Sequence, residues 1–557
     1  MIRSGLRNPH PGRHAAVWSG WILAFACADA TATHSAFGPY ISIQVYVDAA
    51  GQNITGDAAN EPTMAINPLD PGNIVIAWRQ FDSVQSSFRQ GGWAHSQDGG
   101  SSWTFPGSLT PGQGRSNPVI DVDAQGNFYF QSLRFDEQGI YIEDIQVIKS
   151  TDGGRSWQEP VFAHGRGGDK GQLAVDRSGG IGDGHVYVNW RETGDDYCFT
   201  RSIDGGASFE LPVGIPGNPS FGTMAVGPEG ELYIAGRLEP SEWDEETQNR
   251  NHYRHIFSKS LDARDPDSIP TFTTRTVDIG GPAPLFNFRN NPNRYGPVGD
   301  VQVDVDRSNG PLRGNVYVLA TVDPPGEDNL DIKFVRSSDG GETWSAPIRV
   351  NDDEPNKDSW QWFGMMGVAP NSRIDAVWYD TRDSGSYNVS RLYYAYSWDG
   401  GATWSKNVPV SQPFDTTIGY PHASQKMGDY STLVSRRDGA SVAYTATFNG
   451  EQDVYYLNVF PDCNENGVSD VLDIEQGRAG DADADHIPDS CETTPLAGDL
   501  DGDGDIDRLD IDLILAVRNQ SASGPDDPRD IDKNGTIDAL DARKLTLSCT
   551  RPRCAAE

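Results

Sequence analysis

Positive charge is scarce in this chain. Its 557 residues carry 44 Lys and Arg against 80 Asp and Glu, a formal charge of −36, which speaks against nucleic acid and anionic membrane surfaces as partners. Long apolar runs are scarcer still: apart from residues 15–28, no segment is apolar enough to cross a bilayer. Cysteine is sparse as well, at six residues. Removal of the N-terminus after Cys27 would leave five, so at least one has no partner within the mature chain. Cys463 with Cys491 and Cys549 with Cys554 are the pairs an oxidising compartment would form. Cys198, beside an expected strand, reads as a small buried apolar residue.

Residues 1–32 have the layout of a secretion signal. Arg3, Arg7 and Arg13 precede the apolar run, and Ala26, Ala28, Ala30 and Ala32 offer cleavage sites. Beyond residue 32 the chain is rich in glycine and punctuated by one recurring string, Ser-x-Asp-Gly-Gly-x-(Ser/Thr)-(Trp/Phe). It occurs five times, as Ser96 to Trp103, Ser150 to Trp157, Ser202 to Phe209, Ser337 to Trp344 and Ser397 to Trp404. In each, the Asp side chain can accept N–H bonds within its own turn, and the glycines take dihedrals that other residues resist.

Each turn is preceded by an alternating or apolar strand and followed by another, in units that recur every 50 to 75 residues or so. Second strands such as Ile74 to Trp78, His185 to Trp190 and Ile374 to Trp378 mark seven four-stranded units. None can bury both its faces alone, and radial stacking solves that problem. The expected fold is therefore a mainly β, seven-bladed propeller over residues 41–460. A six-bladed ring with an irregular insertion over 262–297 is the alternative. The fourth unit keeps only Ser260-Leu261-Asp262 of the turn, and the seventh lacks it. The seventh unit also has three strands of its own, so its fourth is expected from Ile41 to Val47.

After Val459 the composition turns acidic. Asp499, Asp501, Asp503, Asp505, Asp507 and Asp510 occupy positions 1, 3, 5, 7, 9 and 12 of a calcium loop with Gly504 at position 6. Asp530, Asp532, Asn534, Thr536, Asp538 and Asp541 repeat that register around Gly535. Hard oxygen donors at this spacing wrap Ca²⁺, and a short helix is expected to leave each loop. Residues 461–493 carry two further acidic segments: Asp462, Asn464, Asn466 and Asp470 with Asp473, then Asp481, Asp483, Asp485 and Asp489 with Glu492.

The five turns resemble the Asp-box (BNR repeat) of the sialidase-like propeller superfamily. The doubled loops of residues 497–549, with Asp at position 12 and no entering helix, resemble the dockerin family. Residues 461–493 resemble thrombospondin type 3 calcium repeats. The dockerin resemblance implies attachment to a cohesin-like or cell-surface protein. The sialidase resemblance implies arginines around a sugar carboxylate, a Tyr nucleophile activated by Glu, and an Asp acid/base. Arg79, Arg191, Arg237 and Arg382 follow second strands at comparable places and are the candidates for glycan binding. Tyr430, Glu192 and Asp429 are the catalytic candidates, with Glu61, Lys170, Asp300 and Trp362 at other innermost-strand entrances. Two departures count against sialidase chemistry: the Phe/Tyr-Arg-Ile-Pro segment near the first blade is missing, and seven units exceed that family's six. The functional expectation is a secreted glycoside hydrolase directed at a glycan or polysaccharide; the alternatives are a non-catalytic extracellular propeller that binds glycans or proteins and a structural envelope protein stabilised by calcium.

Overall fold

The computed structural model describes residues 33–557 apart from 138, 140, 192–196, 239–251, 285–289, 423–424, 482–485, 492–497, 499, 502–505, 525–526, 550–553 and 556–557. The signal segment and Glu192 therefore lie outside the described residues, as do Asp483, Asp485, Glu492, Asp499, Asp503 and Asp505.

Second strands such as Ile74–Phe81, Val316–Val322 and Ile374–Asp380 are buried along their whole length. A strand apolar on both faces must be covered on both, and here the neighbouring blades cover it. The core accordingly lies between blades: Val75, Ala77 and Trp93 of the first meet Ile120, Phe128 and Phe130 of the second. Seven antiparallel meanders result, their innermost strands starting at Ala58, Arg115, Asp169, Met224, Gln302, Gln361 and Thr432.

The ring closes as the strand count required. Tyr40–Gln44 pairs with Asp453–Val459 of the seventh blade, Ile43 opposite Tyr456, and His34–Phe37 adds an outer fifth strand. The missing turn in that blade is a consequence of the closure. After Val459 the chain leaves for the C-terminal region, and no hairpin joins the third strand to the fourth.

The five Asp-Gly-Gly turns share one bonding scheme. In the fourth of them, Ser337 Oγ donates to Asp339 Oδ1 at 2.7 Å, while the Thr343 amide and hydroxyl donate to Asp339 at 2.9 and 2.6 Å. The second glycine is also forced by packing. Gly341 has φ +85°, and a Cβ there would stand 2.1 Å from Phe257 Cε1 of the preceding blade, the ring against which Trp344 also packs at 5.0 Å. The shortened string in the fourth blade proves to be a full turn with a longer loop. Ser260 donates to Asp262 at 2.8 Å, and Thr271 supplies the amide and hydroxyl at 2.8 and 2.6 Å.

The C-terminal region has helices Asp470–Glu475, Arg508–Ala516 and Ala539–Thr546. The last two pack around Ile506, Ile514, Ile537, Ala542 and Leu545. Both expected disulfides form, Cys463–Cys491 and Cys549–Cys554, and Cys198 is buried outside them. No helix among the described residues is long and apolar enough to cross a membrane.

Candidate functional site

At the entrance of every innermost strand one residue has positive φ: Glu61 (56°), Asn117 (50°), Lys170 (54°), Phe221 (50°), Gly299 (120°), Phe363 (52°) and Gly428 (101°). The ladder slips there, as between Asn60 and Thr63, Ser116 and Val119, and Asp169 and Gln172. A bulge of this kind re-aims a side chain, at a cost of about 1–2 kcal/mol for each left-handed non-glycine residue. Proline or glycine comes directly after each of the five non-glycine positions: Pro62, Pro118, Gly171, Gly222 and Gly364.

The re-aimed side chains meet charges from other blades. Glu61, fully buried, pairs with Arg79 at 3.0 Å and has Lys426 of the seventh blade at 3.6 Å. Lys426 also pairs with Asp429, which in turn pairs with Lys170 of the third blade. The chain Arg79, Glu61, Lys426, Asp429, Lys170 thus links the first, seventh and third blades. Lys170 and the Arg237 guanidinium stand over the Phe221 ring at 5.1 and 5.2 Å, and Arg237 donates to the Gly299 carbonyl at 2.5 Å. Asn290 to Pro297 flank this cluster, Asn293 donating to Gly428 O at 2.8 Å and accepting from the Met427 amide at 2.8 Å.

These neighbours set the protonation of the carboxyls. Burial alone would raise Asp429, but the Lys170 and Lys426 ammonium groups outweigh it and hold the carboxyl well below its usual range. Burial wins at Asp300, pushing it up to about 7 against the pull of Arg237 and Lys170. Tyr430 is pushed well above the usual phenol value by burial and then by Glu61, Asp300 and Asp429. Its hydroxyl donates to Pro118 O at 2.9 Å.

Of the sequence candidates, Arg79, Arg237, Asp429 and Tyr430 come together here. Arg191 lies opposite Asp169, beside Lys170. Arg382 is held in a different cluster, by Asp352 at 2.6 Å and Asp380 at 2.8 Å, with Asp353 at 3.5 Å. Trp362 is fully buried and donates to Ser390 at 3.1 Å, as a core residue does. Sequence reasoning missed Lys426, whose signal was a position three before Asp429. It also missed the bulge, whose signal was a recurrent Pro or Gly after each strand entrance.

In the C-terminal region, carboxylate oxygens of Asp530, Asp532 and Asp541 lie within 4.8 Å of one another, an oxygen-only donor set that suits a hard cation. Asp530 accepts from the Asn534 and Gly535 amides at 3.1 and 2.8 Å, curling the loop around these carboxylates. Asp541 accepts from the Asp532 and Asp538 amides at 3.0 and 2.8 Å. Thr536 opens a short strand and Asp538 caps the next helix. In the other loop Asp510 accepts from the Leu500, Asp501 and Asp507 amides at 2.5, 3.2 and 2.8 Å. Around Asp462 the same curl recurs: it accepts from the Asn466 and Gly467 amides at 3.0 and 2.9 Å. Asn464 and Asn466 there donate to Asp473 at 3.4 and 2.6 Å. Cys463, Asp470 and Cys491 also cluster, but both sulfurs are joined in the disulfide, which leaves Asp470 alone of the three as a ligand. Asp481 accepts from the His486 amide at 3.3 Å, and Asp489 donates its amide to Gly480 O at 2.8 Å.

No family model matches the chain. The long isoform of an ulvan lyase from Glaciecola sp. (strain KUL10) is 44% identical over 62 residues, which span 11% of this chain and 6% of that protein. Among solved structures, an α-L-arabinofuranosidase from Fusarium graminearum covers 75% of this chain and 97% of its own, at 10% identity and TM-score 0.42. A Dyadobacter fermentans protein of unknown function covers 75% and 98%, at 15% identity and TM-score 0.40. The phage phi92 endosialidase covers 77% and 68%, at 9% identity and TM-score 0.40. Overlaps this loose carry no argument about chemistry.

Proposed function

We propose that this chain is an extracellular, calcium-binding propeller that receives an acidic sugar at the axial cluster and acts on it as a sialidase-like glycoside hydrolase. The observation that carries the reading is the gathering of Arg79, Lys426, Lys170 and Arg237 in one axial cluster, where Lys170 and Arg237 act on a buried carboxyl, Asp300, that burial raises to about 7. Cationic donors suit a sugar carboxylate, and a carboxyl pushed to about 7 can deliver a proton to a leaving oxygen. Tyr430, Asp429 and Glu192 are the proposed reacting groups from the sequence, with Arg191, opposite Asp169 in the third blade, as a further proposed sugar-binding residue. Use of Tyr430 as nucleophile requires its bond to Pro118 O to open.

That same bond, together with the two lysines on Asp429, favours a second reading, a propeller that binds an acidic glycan without cleaving it. The acidic loops hold Ca²⁺ in both readings, and among the described residues the Asp530, Asp532 and Asp541 carboxylates form an all-oxygen set that supports it. By its dockerin-like resemblance, the C-terminal module attaches the propeller to a cohesin-like or cell-surface protein. The residue 1–32 signal and the two disulfides are consistent with an oxidising, extracellular location.

The test is incubation with a mixed panel of acidic glycans in calcium, reading released sugar, free sialic acid included, alongside binding. Release that Tyr430→Phe abolishes supports the hydrolase. Binding without release, unchanged in Tyr430→Phe, removes the hydrolase and keeps the binding propeller. Neither binding nor release removes both.

A further inference from the structure

Where the ring closes, buried oxygens lack the partners that burial demands. Asp57, Asp453 and Gln44 are 1%, 0% and 2% exposed. No donor makes a full hydrogen bond to Asp57 Oδ1 or Oδ2, Asp453 Oδ1 or Gln44 Oε1, although the Tyr46 hydroxyl acts on Asp57 and the Gln44 amide on Asp453 as weaker donors that lower each carboxyl. The arrangement is not a loose one. The Gln44 amide nitrogen is committed to Tyr46 O at 3.0 Å and Asn53 Oδ1 at 2.5 Å, which fixes where its carbonyl oxygen stands. Asn449 donates both to Asn53 Oδ1 at 2.9 Å and to Asp453 Oδ2 at 2.6 Å. Glu451 holds the adjoining loop by accepting from the Gly56 amide at 2.5 Å and the Asn53 side-chain amide at 3.2 Å.

The charges that act on this pair are those of other carboxylates. Burial pushes Asp57 up first, then the Asp453 and Glu451 charges; burial also raises Asp453, and Glu451 adds to it. Lys and Arg do not figure among these influences, and Tyr46 is the phenol that faces Asp57. A buried carboxylate with no cation beside it is strongly unfavourable, and it is relieved either by a proton or by a bound metal.

We propose that Asp57, Asp453 and the side-chain carbonyl of Gln44 hold a hard divalent cation, calcium, at the seam of the ring. The donors are all oxygen, carboxylate and amide carbonyl, which selects calcium over softer metals. They come from three parts of the chain: the closing strand Tyr40–Gln44, the third strand of the last blade, and the entry to the first blade. The ion therefore staples the two ends of the propeller. It also sits beside the axial cluster, because Gln452, the neighbour of Asp453, accepts from Asn60 at 3.0 Å and donates to Lys426 O at 3.0 Å.

The experiment strips the full chain with chelator, then measures bound ⁴⁵Ca by equilibrium dialysis and the urea midpoint of propeller tryptophan fluorescence with and without calcium. Asp57→Asn and Asp453→Asn are expected to bind one calcium fewer than the unaltered chain. Their propeller midpoint should no longer respond to calcium, while the calcium response of the C-terminal helices persists. Gln44→Met keeps both carboxylates and serves where the other variants do not fold. It should weaken one calcium site at least tenfold. Unchanged stoichiometry and affinity in the folded variants would overturn the proposal. So would a propeller midpoint in the unaltered chain that ignores calcium, the behaviour of a pair that simply holds protons.

Discussion

Arg79→Met should lower propeller stability by about 3–5 kcal/mol, the usual cost of leaving one half of a buried ion pair. The magnitude rests on geometry. At the 3.0 Å separation of Arg79 Nη1 and Glu61 Oε1, an effective dielectric near 20 gives an attraction of about 5.5 kcal/mol. Desolvating side chains that are 3% and 0% exposed consumes much of that. The substitution also takes the donor from Asn60, which accepts from Arg79 Nε at 2.8 Å. Lys426 still faces Glu61 at 3.6 Å, which places the expected loss near the lower end, about 3 kcal/mol. Glu61→Gln should cost a similar amount, because it leaves two cations facing a neutral amide. The double variant should then be more stable than the sum of the singles predicts, by about 2–3 kcal/mol. Urea denaturation followed by tryptophan fluorescence measures all four proteins. Additive losses, or an Arg79→Met protein within about 1 kcal/mol of the unaltered chain, below the range for breaking a buried pair, would refute the reading of this pair as a structural keystone of the cluster.

Two further outcomes are expected. Gly340→Ala and Gly341→Ala sit in one turn at φ +69° and +85°, so both meet a left-handed cost of about 1–2 kcal/mol. At Gly341 the added methyl would also stand 2.1 Å from the Phe257 ring, against 3.7 Å to the nearest atom at Gly340, so overpacking should add about 1–3 kcal/mol there; equal thermal midpoints would refute the interlocking of blades. Asp300, raised from 3.8 to about 7 in the fold, binds its proton more tightly folded than unfolded. Its contribution to stability is therefore present at low pH and declines between about pH 4 and pH 7. Asp300→Asn should flatten that part of the stability–pH curve, and an unchanged curve would show that Asp300 ionises normally.

The ring was legible because its signals are local. An Asp-Gly-Gly string specifies its own hydrogen bonds within a few residues, and an apolar second strand announces burial on both faces. The closing strand came from counting, three strands in the seventh unit and one spare strand near residue 41. The site was less legible because it is made across blades. Glu61 and Lys170 read from the sequence as strand-entrance residues, but they and Lys426 are far apart in the chain and nothing in the sequence pairs them. Only the ring puts them within ion-pair distance. Arg382 shows the converse: it occupies a comparable place after a second strand, yet nearby Asp352 and Asp380 capture it. Ser260-Leu261-Asp262 looked degenerate because the third partner of its turn, Thr271, had moved nine residues from Asp262.

The charge of −36 is therefore not one property but several, separated by what each carboxylate faces. In the turns, hydroxyl and amide donors stabilise the anion: Thr343 and Ser337 hold Asp339 well below the usual carboxylate range, so these charges persist into acid and keep the turns formed. On the axis, lysines do the same for Asp429 against burial. At the seam neither donors nor cations suffice, and Asp57 is pushed up to about 8. In the last C-terminal loop the carboxylates of Asp530, Asp532 and Asp541 face one another within 4.8 Å. The first two groups carry their compensation in the covalent chain, whereas the last two require something from solution, a proton or a cation. Acidity in this protein is thus tolerated by two different means. The boundary between them separates the parts whose stability is intrinsic from those expected to depend on calcium.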